Sequence, residues 1–300
     1  MSRASSYQEA NARERLQQLF DPDSFEEFLP PSERIVSPHL GQLNAPVAFD
    51  DGVAVGRAKL GGVTVYTAAQ EGGFMGGAVG EVHCAKLVGL LRRAVRDQVT
   101  AVVLLVESGG VRLHEANAGL IAVSEVMRAL LDTRAAGIPV VVLVGGSNGA
   151  FGGMGIVSRC ANVVVMSEEG RLAMSGPEVI ETASGVEEFD SRDRALVWRT
   201  AGGKHRYLMG DCQRIVADDV AAFRAAARDA VATLTGSQVE LTLEALEAEQ
   251  QMLEERIARF GALTDPVDIW TAMQIPDAAN VPMLDVDSFI AVADKRRMGV

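Results

Sequence analysis

Apolar residues recur along this chain in two rhythms, and the change from one to the other marks the elements. In "GVAVGRAKLGGVTVYTAAQ" (52–70), Val53, Val55, Val63 and Val65 alternate with other residues on either side of Gly61-Gly62. That predicts a hairpin, because strand side chains point to opposite faces in turn and paired glycines suit the tight connection. "EGGFMGGAVGEVHCAKLVGLLRRAVRD" then passes from a glycine-rich loop into a helix with Val82, Leu87, Leu90 and Leu91 as its apolar positions. "VTAVVLLV" (99–106) is an unbroken apolar run, the pattern of a strand covered on both faces. Leu120, Val123, Met127, Leu130 and Leu131 follow at helical spacing until Gly137 and Pro139 stop the helix.

The cycle repeats. "PVVVLVGGSNGAFGGMG" (139–155) reads as strand, glycine loop and helix start, and "ANVVVMSEEGRLAMSGPEVIE" as strand, turn, short strand and helix start. Strands separated by helices predict an α/β domain around a buried sheet, with both glycine loops at the same edge, where ligands of such sheets bind. Residues 7–20 read as a short polar helix ending at Phe20. After residue 235 the pattern changes to a long amphipathic helix (238–261), rich in Glu and Leu, and an irregular tail with apolar anchors. The expected organisation is one α/β domain over 1–235 and a C-terminal helical appendage over 236–300, packed on the domain or on a partner.

Composition narrows the functional classes. With 300 residues, 48% of them hydrophobic, the chain can bury a full core. Its 28 basic and 40 acidic residues leave a net charge of −12, which disfavours nucleic acid and anionic membrane surfaces. Cys84, Cys160 and Cys212 are far apart and form no CxxC pair, so neither a zinc ribbon nor a disulfide framework is supported, and Cys84 reads as core. No signal-peptide core opens the chain and no run is long enough to span a bilayer, so the cytoplasm is the expected location.

Candidate chemistry concentrates in the glycines. In "LLVESGGVRLHEANAGL" (104–120), Gly109 and Gly110 fall after a strand and before a helix. Peptide N–H groups there point outward with the helix dipole behind them, a place that binds developing negative charge; a plain tight turn is the alternative. The loop 145–155 offers Gly149, Gly152, Gly153 and Gly155, and it matches neither nucleotide-phosphate pattern. It does contain G-x-S-x-G at Ser147, and a triad with Asp190 or Asp193 and His205 would follow the chain order of the serine hydrolases. Together the two loops suggest paired peptide donors facing one carbonyl oxygen, an oxyanion hole for an enolate or a tetrahedral intermediate.

These residues resemble a known family. "LLVESGGVRLHE" resembles the S-G-G-A-R motif of acyl-CoA carboxyltransferases, with Val111 where alanine is usual; "LFDPDSFEEF", "GGFMGGAVGEVHCAKL", "GRLAMSGPEVIE" and "TAGGKHRYLMGDCQRIVADD" resemble further motifs in order. The resemblance covers residues 15–225. It implies a crotonase-like superhelix of ββα units, in the half of the enzyme that receives the acyl thioester. Within the family, a stand-alone half with a helical tail and without a zinc ribbon is similar to the beta subunits of biotin-independent malonate decarboxylases.

That resemblance implies decarboxylation of malonate held as a thioester on the phosphopantetheine-type thiol of an acyl carrier protein, yielding the acetyl thioester and CO2. It implies no metal and no cofactor bound by this chain. Implied partners are a homologous gamma subunit, the acyl carrier protein and an acyl-carrier-protein transferase alpha subunit. Alternatives are a carboxyltransferase subunit of a biotin-dependent enzyme, a serine acyl hydrolase using Ser147, and a non-catalytic scaffold.

The expected catalytic donors are Gly109, Gly110, Gly152 and Gly153. The expected substrate-binding set is Ser108, Arg112, His114, Gly149, Gly176, Lys204, His205 and Arg206. Lys204, His205 and Arg206 form a basic cluster on an acidic protein, suited to a pantetheine phosphate, with a solvated turn as the alternative. His114 reads as an acid or a packing residue. Arg112 reads as a loop anchor, a phosphate ligand or an ion-pair partner of Glu115. Glu178 reads as an acid or as a first-turn carboxylate.

Overall fold

A computed structural model describes residues 5–236 and 242–298. Its sheet has seven strands in chain order: β1 (Glu26–Glu27), β2 (Val53–Leu60), β3 (Val63–Gln70), β4 (Val102–Val106), β5 (Val140–Val144), β6 (Val163–Ser167) and β7 (Arg214–Val216). β1 to β3 pair antiparallel, and Val53 opposite Gln70 through Leu60 opposite Val63 is the expected hairpin. From β3 to β7 every pairing is parallel.

Alternation explains why β4 and β5 read as continuous apolar runs. Val102, Leu104, Val106, Val140, Val142 and Val144 face one layer, whereas Val103, Leu105, Val141 and Leu143 face the other. The first layer is built by α2 (Glu81–Asp97), α3 (Asn117–Ala135) and α4 (Gly152–Arg159). The second is α1 (Ala12–Leu19) against α8 (Val220–Leu234), with Tyr7 stacked on Phe223 at 4.0 Å. Cys84 is in the core, and burial pushes its thiol up to about 12.

Beyond the main strands a second, minimal ladder continues through single-residue bridges, Val79 to Val111, Ser108 to Ala150, and Ala150 to Leu172. Each unit is thus a long strand, a sharp turn, a bridging residue and a helix.

Two expectations need correction. The N-terminal helix is shorter than 7–20, because Asn11 caps it in a capping box with Glu14. It is not a polar surface helix either: Arg15, Leu16 and Leu19 are buried, and the charge of Arg15 is held inside by Glu107.

The tail carries α9 (Leu243–Phe260), α10 (Pro266–Ala272) and α11 (Val286–Ala293). The expected start of the long helix, residues 238–241, lies outside the described residues. Trp270, Met273, Ile275, Val281 and Phe289 join the same core cluster as Tyr207, Leu208 and Met209. The tail therefore packs on this chain. Among the described residues no helix is long and apolar enough to cross a membrane.

Candidate functional site

The two glycine loops meet backbone to backbone at the carboxyl ends of β4 and β5. Ser108 N–H donates to the Gly149 carbonyl (2.7 Å), and Phe151 N–H to the Ser108 carbonyl (2.8 Å). Gly110 has φ +137° and Gly152 φ +57°, conformations that favour glycine. A Cβ on Gly152 would lie 3.0 Å from Gly110 Cα and 3.8 Å from Val111 N. Glycine at 152 is thus required twice, by conformation and by contact.

Three of the four expected donors are already hydrogen-bonded. Gly109 N–H is spent on the Gly76 carbonyl (2.9 Å), Gly152 N–H on the Met174 carbonyl (2.9 Å), and Gly110 N–H on Ser108 Oγ (3.2 Å). Gly153 lies in the first turn of α4, where amides lack an intrahelical acceptor. The N–H groups of Val111, Gly153 and Met154 have no acceptor among the described residues. The physical reason is ladder parity: Val79 N–H donates to Gly110 and Arg112 N–H to Val79 (both 2.9 Å), so the residue between them points its amide the other way.

Several expected substrate contacts are structural instead. Ser108 is fully buried, its hydroxyl shared between the amide and carbonyl of Gly110. Arg112 is buried and fully engaged: Nη1 donates to both Asp51 carboxylate oxygens (3.0 and 2.8 Å) and to Glu115 Oε1 (3.1 Å), Nη2 to the Asp51 carbonyl, and Nε to the Ala78 carbonyl. It anchors the loop and pairs with Glu115, and its side chain is buried away from any phosphate. Gly149 (φ +65°) closes its turn, where a Cβ would meet the Arg171 carbonyl at 2.7 Å.

His114 is exposed on a short 3₁₀ turn beside Leu113. Gly176 is the N-cap residue of α5 (Pro177–Ser184), and Glu178 is exposed in that helix's first turn.

The basic cluster does not exist as a cluster. It lies on α7 (Gly203–Leu208), packed under the tail. Lys204 Nζ donates to the carbonyls of Pro282 (3.0 Å) and Leu284, and pairs with Glu168 at 3.4 Å. Arg206 binds the Asp211 carboxylate (3.0 Å) and the Thr200 carbonyl (2.9 Å). His205 Nδ1 accepts from Trp270 Nε1 (3.2 Å); burial, helped by Arg206, pushes this ring down to about 3. A side chain neutralised by its own chain cannot guide a ligand phosphate.

The serine-hydrolase arrangement is likewise absent. Ser147 Oγ donates to Glu107 (3.1 Å), Asp193 caps α6 (Arg194–Ala201), Asp190 pairs with Arg192, and His205 is committed to Trp270.

Two features escaped the sequence reading. The available amide of Val111 belongs to a side chain that looked like a mere departure from a motif. Glu107 is a buried carboxylate at the junction of both loops; its signal was a lone acid ending the apolar run "LLVE". Two exposed apolar residues adjoin the loops: Leu113 (90% exposed) directly follows Arg112, and Met174, also exposed, accepts the Gly152 amide on its carbonyl.

Relatives share this arrangement of chain. Residues 7–265 match the carboxyl transferase domain family. The chain is 37% identical to the malonyl-S-ACP:biotin-protein carboxyltransferase MADC of Malonomonas rubra, over 97% of this chain and 96% of that protein. A crystal structure of a Pseudomonas malonate decarboxylase hetero-tetramer in complex with malonate is 40% identical, covers 77% of this chain and 84% of its own, and superposes with a TM-score of 0.74. The Pseudomonas MdcD–MdcE hetero-dimer is 36% identical over 76% of this chain and 88% of its own, with a TM-score of 0.62. The mixed sheet and its repeated units are the expected crotonase-like fold, and the chain belongs to the carboxyl transferase domain family.

Proposed function

We propose that this chain is the malonyl-thioester-binding subunit of a malonate decarboxylase. The observation that carries the reading is the pair of unpartnered peptide N–H groups, Val111 and Gly153, contributed by two loops in van der Waals reach of each other. When the C–C bond to the carboxylate breaks, its electron pair enters the thioester carbonyl and the oxygen becomes an enolate. Peptide donors fixed where that charge develops stabilise the transition state more than the ground state, and removing one such donor typically costs about 2.7–4 kcal/mol of barrier. Protonation of the enolate carbon gives the acetyl thioester, and CO2 leaves. The fit to an acyl carrier protein thioester rests on the relatives.

The exposed Leu113 and Met174 beside the loops support a second subunit seated over them, as does the hetero-dimeric relative. We assign this cover to a homologous gamma subunit that brings the proton donor; the atoms nearest a Cβ built on Gly153 belong to the side chains of Val123 and Val111. A carrier protein and a transferase subunit complete the scheme.

The test is reconstitution. The isolated chain should release little CO2 from malonyl-S-acyl carrier protein, and the complex with its homologous partner should release it at full rate; full turnover by the verified single chain would overturn the division of labour. The near full-length likeness to a biotin-protein carboxyltransferase favours a second reading, in which the carboxyl group passes to biotin. Avidin separates the two, because it blocks transfer to biotin and leaves direct decarboxylation untouched.

A further inference from the structure

Glu107 immediately follows β4, 4% exposed, and four groups converge on its carboxylate: Arg15 Nη1, Ser147 Oγ (3.1 Å), Asn148 N–H (3.1 Å) and Asn148 Nδ2 (2.9 Å). Asn148 Nδ2 also reaches the Gly72 carbonyl (3.2 Å). One carboxylate therefore joins the loops after β3, β4 and β5. The loops are shaped around it, since a Cβ on Gly72 would lie 2.2 Å from its Oε1 and one on Gly146 2.3 Å from its carboxyl carbon.

A second hydrogen-bonded chain runs from the main-chain amide of Glu107 to the Val111 loop. Glu107 N–H donates to Gln70 Oε1 (3.1 Å), Gln70 Nε2 lies 2.8 Å from His83 Nε2, and His83 Nδ1 lies 3.1 Å from the Asp51 carbonyl. Burial first, and Arg112 second, push His83 down to about 3, so the ring is neutral. With Nδ1 carrying the proton, every donor in the chain meets an acceptor. Arg112 then clamps Asp51 and the Ala78 carbonyl, and its own N–H holds Val79. The chain thus starts under the Ser147 loop and ends on both sides of Val111.

A buried ion pair gains a fold little over apolar packing of the same volume, whereas a carboxylate with four donors fixes backbone in one arrangement. We infer that Glu107 is a positioning residue: its carboxylate, through Ser147 and Asn148, and its main-chain amide, through Gln70, set the two loops so that the amides of Val111 and Gly153 converge on one oxygen. The inference rests on the enolate-stabilising reading for its chemistry, though not for its structural half.

The experiment uses the complex with the homologous partner and malonyl-S-acyl carrier protein. Glu107→Gln replaces an acceptor with a donor facing Arg15 and Asn148. A displacement of about 1 Å at a reacting centre costs roughly 10²-fold, so kcat should fall by that order. KM should stay within about threefold, because thioester contacts away from the reacting carbon are unchanged. Amide hydrogen exchange over 108–112 and 150–155 should quicken.

Asn148→Ala, which leaves the Arg15–Glu107 pair intact, should show the same split at roughly tenfold, and it decides the matter if the glutamine variant does not fold. Leu91→Ala, a core change in α2, serves as the control: it should lower Tm comparably and keep kcat. The inference is overturned if folded Glu107→Gln and Asn148→Ala complexes keep wild-type kcat, or if Leu91→Ala loses as much. If the wild-type complex is itself inactive, the functional reading fails, and exchange alone decides the inference: unchanged exchange in both loops sinks it.

Discussion

At the scale of single residues, the site turns on which peptide groups are left over after the backbone has paired. The paired glycines were legible because nothing else in a soluble protein so readily marks a strand-to-helix junction that a ligand approaches closely. Which amide stays free was not legible, because it depends on ladder parity through Val79, a residue 32 positions away from Val111 in a separate loop. Gly152 is the sharpest probe. Alanine there is strained at φ +57° and meets the Gly110 backbone at 3.0 Å, so the loops must part and the donor pair loses its geometry. We expect Gly152→Ala to lower kcat by roughly 10²–10³ with the subunit complex still assembled; steady-state kinetics on the purified complex checks this, and wild-type kcat would remove the α4 turn from the site.

At the scale of elements, hydrophobic periodicity was a sound guide and local charge a poor one. The hairpin, α2 and the central strands follow the apolar pattern, because each is fixed by burial of its own alternating or 3.6-spaced face; α3 follows it in part, burying Val123 and Leu130 but exposing Leu120 and Leu131. The basic run at 204–206 failed because sequence displays charge without displaying what lies against it. Its partners come from 78 and 80 residues on, in the case of Lys204.

Lys204 is therefore a fastener for the tail. Lys204→Ala should cost about 1 kcal/mol, the usual net worth of such hydrogen bonds, and loosen residues 282–293 in hydrogen exchange. KM for the carrier thioester should stay within about twofold. A raised KM with unchanged thermal stability would return the residue to substrate binding. As with the basic run, the polar sequence of α1 does not show that Arg15 is buried against Glu107 and the carbonyls of Tyr7 and Gln8.

For the whole molecule, burying two neutral histidines makes stability depend on pH. His83 and His205 sit near 3 in the folded chain against about 6.5 when unfolded. Between those values the unfolded chain binds protons that the folded chain refuses, so stability rises with pH across the window and is lost as pH falls. Each ring should cost about 2 kcal/mol on going from pH 7 to pH 5. Denaturant unfolding at the two pH values measures it, and equal stabilities would contradict the burial of both rings as neutral species.

The pairing of the first helix with a late one bears on how the chain is made. Val220 N–H bonds to the Ser5 carbonyl (2.9 Å), and Phe223 roofs Tyr7, whose ring lies 4.5 Å from the Arg15 guanidinium. A ribosome delivers residues 5–20 first, yet their cover arrives more than 200 residues later. Until then Arg15 has no dry pocket, the network through Glu107 is open to water, and the loops above it have no fixed seat. Contacts of such sequence separation are slow to close. The nascent subunit therefore acquires its catalytic geometry late, after most of the sheet has been synthesised, and a chain released before α8 would have the glycine motifs without the arrangement that gives them chemistry.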